Sequence, residues 1–287
     1  MRRCAFLTLA DPTGYVIDDQ LAVEPLLERG WQCDSVPWTS AAVEWTAYDA
    51  VVIRSTWDYA SQPQRFLATL RSIEASGVPL FNSADLVEWN LEKGYLRQLA
   101  DRGVPIVPTA WCDRIEPGEL RQALKSFGEV VVKPLVGAGA IGAFRVRPDA
   151  TAEEVAVVET EYADRKAMIQ PFLTNIIREG EYSLFYFNGR YSHAILKTPQ
   201  PHDFRVQEEH GGIIRAVAPD AALSAAGEAV MESIGAPPLY ARADFVRSND
   251  GSQHWLIELE LIEPSLYLRM DREAPARLAA AIDERAA

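Results

Sequence analysis

The stretch Val130-Val131-Val132-Lys133-Pro134-Leu135-Val136-Gly137-Ala138-Gly139-Ala140-Ile141-Gly142-Ala143-Phe144-Arg145-Val146 decides between two folds. Glycines at 137, 139 and 142 match the spacing of a dinucleotide-binding fingerprint, which would make the chain an NAD-dependent oxidoreductase. That fingerprint works when the loop follows a strand and opens a helix whose N-terminus meets pyrophosphate. Here both flanks, 130–132 and 142–146, are strand-like, and the loop lies mid-chain. A glycine loop between two antiparallel strands makes a flap instead. Its N–H groups can close over a polyphosphate because no Cβ stands in the way. A plain glycine-rich hairpin is the alternative without a ligand. Lys133 ends the strand before the loop and supplies a compact positive charge for phosphate oxygens.

Upstream, strand and helix alternate. Residues 4–9, 32–36, 49–53 and 79–81 read as strands, and 18–29 and 62–76 as helices, stopped at Gly30 and Gly77. Ser83 is placed to cap the next helix. This order predicts a small parallel sheet with helices on both faces, where ligands meet the C-terminal strand ends. Arg54-Ser55-Thr56-Trp57-Asp58-Tyr59 sits at such an end. It is a candidate substrate loop, with Arg54 for a carboxylate and Asp58 for an amine. The same residues also read as a solvated turn with an Arg–Asp pair. Residues 91–102 and 119–127 read as helices. Thr151 with Glu154 three residues on is a capping-box pattern for a helix over 149–162. Downstream, 168–170, 182–187, 190–195, 239–246 and 255–259 read as strands. Asn188-Gly189 marks a hairpin, and a helix over 272–285 closes the chain.

The 287 residues suffice for one large domain or two to three small ones. No apolar run approaches the ~20 residues of a membrane helix, and the N-terminal apolar stretch is too short for a signal peptide, so a cytoplasmic protein with no membrane partner is expected. A net charge of −13 disfavours nucleic acid. Cys4, Cys33 and Cys112 lack metal-ligand or disulfide spacing and read as small buried hydrophobes. The four histidines show no triad or zinc spacing.

Taken in order, Lys93, Lys133, the 137–142 loop and the phrase Glu258-Leu259-Glu260-Leu261-Ile262-Glu263-Pro264-Ser265 resemble the ATP-grasp superfamily, notably its glutathione synthetase and D-alanine–D-alanine ligase branch. The resemblance spans residues 80–270 and, more loosely, the N-terminal region. That phrase and Ile53-Arg54-Ser55-Thr56-Trp57-Asp58-Tyr59 are similar to a bacterial group of small ATP-grasp enzymes, which includes the cyclo-ligase that closes D-cycloserine from O-ureido-D-serine. The resemblance implies an α/β and α+β fold. A Rossmann-like pre-ATP-grasp substrate domain would span 1–90, a small lobe with the glycine lid 91–172, and a large lobe with the metal site 173–287. The two α+β lobes would enclose ATP.

The resemblance also implies roles. Lys93 and Lys133 would reach ATP phosphates under the flap of Gly137, Gly139 and Gly142. Gln170-Pro171-Phe172-Leu173 resembles the hinge that contacts adenine, with glutamine where many relatives carry glutamate. The ribose acid is Glu179 or Glu181, with Glu181 favoured. Asp244, Glu258 and Glu260 match the metal-binding acids, Glu260 standing where the family has asparagine. Alternation puts Glu258 and Glu260 on one face, where paired carboxylates call for a cation, and Mg²⁺ suits such hard ligands. Glu263 is a further candidate, and an exposed acidic strand is the reading without a metal. Arg205, with Lys197 and Arg242, would neutralise the transferring phosphoryl group. The implied activity is an ATP- and Mg²⁺-dependent ligase acting through an acyl phosphate on an amino-acid-like substrate (Arg54, Ser55, Thr56 and Asp58). Cyclisation and intermolecular amide ligation both stay open, as does a non-catalytic nucleotide binder. Dimers are common among resembling proteins, which admits a homodimer.

Overall fold

The computed structural model describes residues 1–137, 142–201 and 203–287. Gly139, expected in the flap, and His202 lie outside them.

β1 (Arg2–Thr8), β2 (Trp31–Pro37), β3 (Ala50–Ile53) and β4 (Leu80–Phe81) form a parallel sheet in the order β2-β1-β3-β4. Alternation along β1 sends Cys4 and Phe6 to one face, with Leu26 of α1 (Val23–Glu28). It sends Ala5 and Leu7 to the other, with Phe66 and Leu70 of α2 (Pro63–Ala75). Both faces are covered, as a parallel sheet requires. The single helix expected over 18–29 is broken into a 3₁₀ turn, Asp19–Ala22, followed by α1. Pro25 is the cause: without an N–H it is tolerated only in a helix's first turn.

Ser83 caps α3 (Ala84–Leu91) by accepting from the Leu86 N–H. The helix expected over 91–102 is also divided. Glu92 is extended, the Lys93 N–H donates to the Leu135 carbonyl at 2.8 Å, and α4 (Tyr95–Asp101) starts after Gly94. Lys93 is thereby turned off the helix surface and inward.

The second sheet is antiparallel. It contains β5 (Ala110–Cys112), β6 (Val130–Pro134), β7 (Phe144–Val146) and β8 (Ala167–Pro171), in the order β5-β8-β6-β7. α5 (Glu119–Phe127) and α6 (Ala152–Glu161) cover it, and α6 starts on the Thr151–Glu154 capping box. The glycine loop thus joins antiparallel neighbours, β6 and β7, with no helix after it. The dinucleotide-fold reading fails on that geometry.

After α7 (Asn175–Arg178) come β9 (Glu181–Phe187), β10 (Arg190–Thr198), β11 (Ile213–Val217), α8 (Ala221–Ile234), β12 (Tyr240–Arg247), β13 (His254–Glu260) and α9 (Ala274–Arg285). The strands form an antiparallel sheet, β11-β10-β9-β12-β13. Asn188 and Gly189 both take positive φ, 49° and 72°, the requirement of a tight hairpin turn. One sheet face is apolar throughout: Leu184, Tyr186, Ala241, Ala243 and Phe245 pack with Leu223 and Val230 of α8. The other face changes character along the strands. Phe185, Phe187, Ile195 and Tyr240 share a core with α9 and the first sheet. Further along the same face, alternation places Glu181, Ser183, Lys197, Arg242 and Asp244.

Candidate active site

A β-bulge completes that charged face. Asp244 pairs with Glu258, but Phe245 pairs with Leu256, so Ile257 is the extra residue on β13. The bulge re-aims the chain: Leu256 enters the apolar core, while Glu258 and Glu260 turn to the Asp244 side. Oxygens of Asp244, Glu258 and Glu260 lie within 4.8 Å of one another. Three hard oxygen donors so close fit a divalent cation such as Mg²⁺.

Cations interleave with these acids. Lys93 Nζ lies 3.0 Å from Glu258 and donates to the Gly137 carbonyl at 2.8 Å. Lys197 Nζ is 2.7 Å from Glu181 and 3.5 Å from Asp244. Arg242 donates to both oxygens of Asp244 and to Glu260, and Ser183 donates to Asp244. Every acid of the cluster has a cation, which offsets the cost of taking it from water.

The titration directions follow. Burial pushes Asp244 and Glu258 up, but Arg242 and Lys197 around the first, and Lys93 and Lys133 around the second, outweigh it and hold both below the ordinary range. Burial dominates at Glu260, raised to about 7, and at Glu263, raised to about 8 beside Glu260. Burial also lowers Lys133, with Lys93 adding repulsion and Glu258 opposing.

The residues read from sequence thus divide. Lys93, Lys133, Glu181, Lys197, Arg242, Asp244, Glu258 and Glu260 come together. Glu179 turns away to Arg247 and Tyr182. Gln170 is buried and donates to Thr109, Phe172 packs edge-on to Phe204, and Leu173 joins Val107 and Val246. Gly142 has φ 76°, and an added Cβ would meet Arg165. Arg205 is held by Asp203, two residues away, on a partly exposed loop.

The residues from Arg54 to Asp58, expected to form the substrate loop, follow β3. Arg54 is buried, donating to Asp19, the Ile53 carbonyl and the Pro264 carbonyl. Asp58 accepts from the Trp38 indole at 2.6 Å. Ser55 and Thr56 are buried, and their hydroxyls find no partner among the described residues.

Several positioning residues escaped the sequence reading. Asn90 and Asn82 bond the backbone at Leu259, Leu261, Leu239 and Tyr240. The Tyr240 hydroxyl donates toward the carbonyls of Ile53 and Ile262, and the Tyr95 hydroxyl accepts from the Leu259 N–H. Together they tie the end of β13 to the first sheet. An asparagine inside a helical pattern gives no signal of such a role.

Comparisons with known proteins agree with this geometry. Residues 106–262 match the ATP-grasp domain of prokaryotic glutathione synthetase, and residues 4–82 match the N-terminal domain of the D-cycloserine synthetase DcsG. The cycloserine biosynthesis protein DcsG of Streptomyces lavendulae is 33% identical over 284 residues, covering 91% of this chain and 92% of that protein. A glutathione synthetase of Ralstonia nicotianae is 26% identical, covering 79% and 68%. The crystal structure of D-cycloserine synthetase DcsG superposes with a TM-score of 0.86 at 28% identity, over 99% of this chain and 100% of that one.

Proposed function

The chain belongs to the ATP-grasp ligases of the prokaryotic glutathione synthetase type, and from that premise we propose that it phosphorylates the carboxylate of an amino-acid-like substrate and joins it to a nitrogen of the same molecule, as in D-cycloserine formation. The observation that carries this reading is the convergence of Asp244, Glu258 and Glu260 with Lys93, Lys197 and Arg242 on one sheet face. A relative matching nearly the full length favours cyclisation over intermolecular ligation.

A carboxylate resists attack because its leaving group would be oxide. Transfer of the γ-phosphoryl to a carboxylate oxygen releases ADP and makes phosphate the leaving group. A nitrogen then attacks the carbonyl carbon; the C–N bond forms, the C–O bond to phosphate breaks, and the nitrogen loses its proton to solvent. The chain's work is positioning and charge neutralisation. Mg²⁺, held by Asp244, Glu258 and Glu260, would supply Lewis-acid charge on the phosphates. Lys93 and Lys133 bind phosphate oxygens. Arg205 exchanges Asp203 for the transferring phosphoryl group. Glu181 and the backbone of 170–173 receive the nucleoside, the lobes 91–172 and 173–287 close on it, and the 137–142 flap excludes water. The reaction belongs in the cytoplasm, where ATP and Mg²⁺ are supplied.

The test is Mg²⁺-dependent ADP release across a panel of amino acids that includes O-ureido-D-serine, with Lys133→Ala as control. Carboxylate-stimulated release that falls at least ~10²-fold in the variant supports the reading. Nucleotide binding without stimulation by any carboxylate counts against it.

A further inference from the structure

Arg205 sits in the segment that leaves β10 just after Lys197 and returns through β11. We propose that Arg269, on the turn after β13, is a positioning residue that holds this segment, and with it Arg205, beside the charged face. The role rests on the ligase reading above and on Arg205 as the group that meets the transferring phosphoryl.

Arg269 stands between two carboxylates from distant parts of the chain. Its Nη1 lies 2.7 Å from Asp18, in the segment between β1 and α1, and its Nη2 lies 2.6 Å from Glu208, three residues after Arg205. The guanidinium also lies over the Tyr267 ring, 4.9 Å from its centre. An isolated surface ion pair would hold little. Here a planar fork spans two acids and stacks on an aromatic ring, and the Asp18 side chain is only 10% exposed. Neither acid has another cationic partner among the described residues. Charge makes the clamp two-sided. With the guanidinium gone, Asp18 and Glu208 face each other and repel, so the segment is pushed away rather than merely released.

The segment passes that hold on to Arg205. Val206, between Arg205 and Glu208, is 1% exposed. Gly212 packs so close that a Cβ there would lie 1.9 Å from the Val206 carbonyl oxygen, and its N–H donates to the Gln207 carbonyl at 3.0 Å. Residues 205–208 therefore shift as a unit. On the other side of Arg205, Phe204 packs edge-on to Phe172, in the stretch that receives the nucleoside. The Arg205 side chain itself is bonded to Asp203, its near neighbour in the same segment, which fixes nothing relative to the rest of the molecule. Its place is set by two pins, Phe204 toward the nucleotide and Arg269 through Glu208.

The experiment compares wild type, Arg269→Gln and Arg269→Lys by ADP release from Mg²⁺-ATP stimulated by O-ureido-D-serine, and by tryptic cleavage after Arg205 followed by mass spectrometry. Arg269→Gln should lower kcat at least ~10-fold with KM for ATP unchanged, because a displaced Arg205 fails the transition state and not nucleotide binding. The Arg205–Val206 bond should be cut at least ~10-fold faster, as Val206 leaves its buried place. Arg269→Lys keeps a charge between the two acids and should recover most of both. A wild-type kcat in Arg269→Gln, a rise in KM that accounts for the loss, unchanged cleavage, or no recovery by lysine overturns the proposal. Wild type without stimulated ADP release overturns the ligase reading, and this role with it; faster cleavage of Arg269→Gln would then still mark the clamp, so the two failures are told apart.

Discussion

Asn90 brackets Glu260: it donates to the Leu259 carbonyl at 2.9 Å and accepts from the Leu261 N–H at 2.9 Å. Asn90→Ala strands both backbone groups in a buried site. We expect a loss of about 2–4 kcal/mol in urea denaturation, with reduced Mg²⁺-dependent ADP release because Glu260 is no longer fixed. His193 offers a pH test. Its Nε2 lies 3.0 Å from the Leu266 carbonyl, so Nε2 carries the proton, and Nδ1 accepts from Ser192. Burial lowers its pKa to about 4, against 6.5 for an exposed imidazole. The unfolded chain therefore binds the proton first. The stability is full above pH 6.5 and is lost as pH falls toward 4, by about 3 kcal/mol. Urea titrations at pH 7 and pH 4.5 should show this fall, and His193→Gln should flatten it. At this scale the acids of the site were legible, because Glu258-x-Glu260 is a spacing with a chemical meaning. The Arg54–Asp19 pair was not, because a partner 35 residues away leaves no local pattern.

Among the elements, Gly180 sets how closely β9 and β10 approach beside Glu181 and Lys197. Its φ is 122°, and an added Cβ would lie 2.5 Å from the Lys197 carbonyl oxygen. Gly180→Ala should cost about 2–4 kcal/mol and weaken AMP-PNP binding, read by denaturation and calorimetry. Unaltered stability and affinity would contradict that role. Alternation and turn residues made β9, β10, β12 and β13 readable, and the Thr151 box made α6 readable. α8 was not. It carries Gly227 in mid-helix, where a Cβ would lie 2.0 Å from the Tyr186 hydroxyl oxygen and 2.8 Å from Leu184. Close packing on the sheet required a residue that weakens the helical signal. The break at Glu92 was hidden because its cause, a bond from Lys93 to Leu135, is 42 residues distant. The β13 bulge was equally silent, since it depends on the register with β12.

Over the whole molecule, three sheets deliver their polar ends to one place, and no described helix is long and apolar enough to cross a membrane. Mg²⁺ with AMP-PNP should stabilise the fold by about 2.7 kcal/mol at a hundredfold excess over Kd, and chelation should remove most of that gain, as a thermal-shift series would record. Chemistry at the acyl carbon has a sharper test. O-ureido-D-serine carrying ¹⁸O in its carboxylate is turned over with Mg²⁺ and ATP, and the released phosphate is weighed by mass spectrometry. An acyl-phosphate ligase delivers one ¹⁸O into each inorganic phosphate, a gain of one label per turnover. Phosphate without label, or label found in AMP, would contradict phosphorylation of the carboxylate.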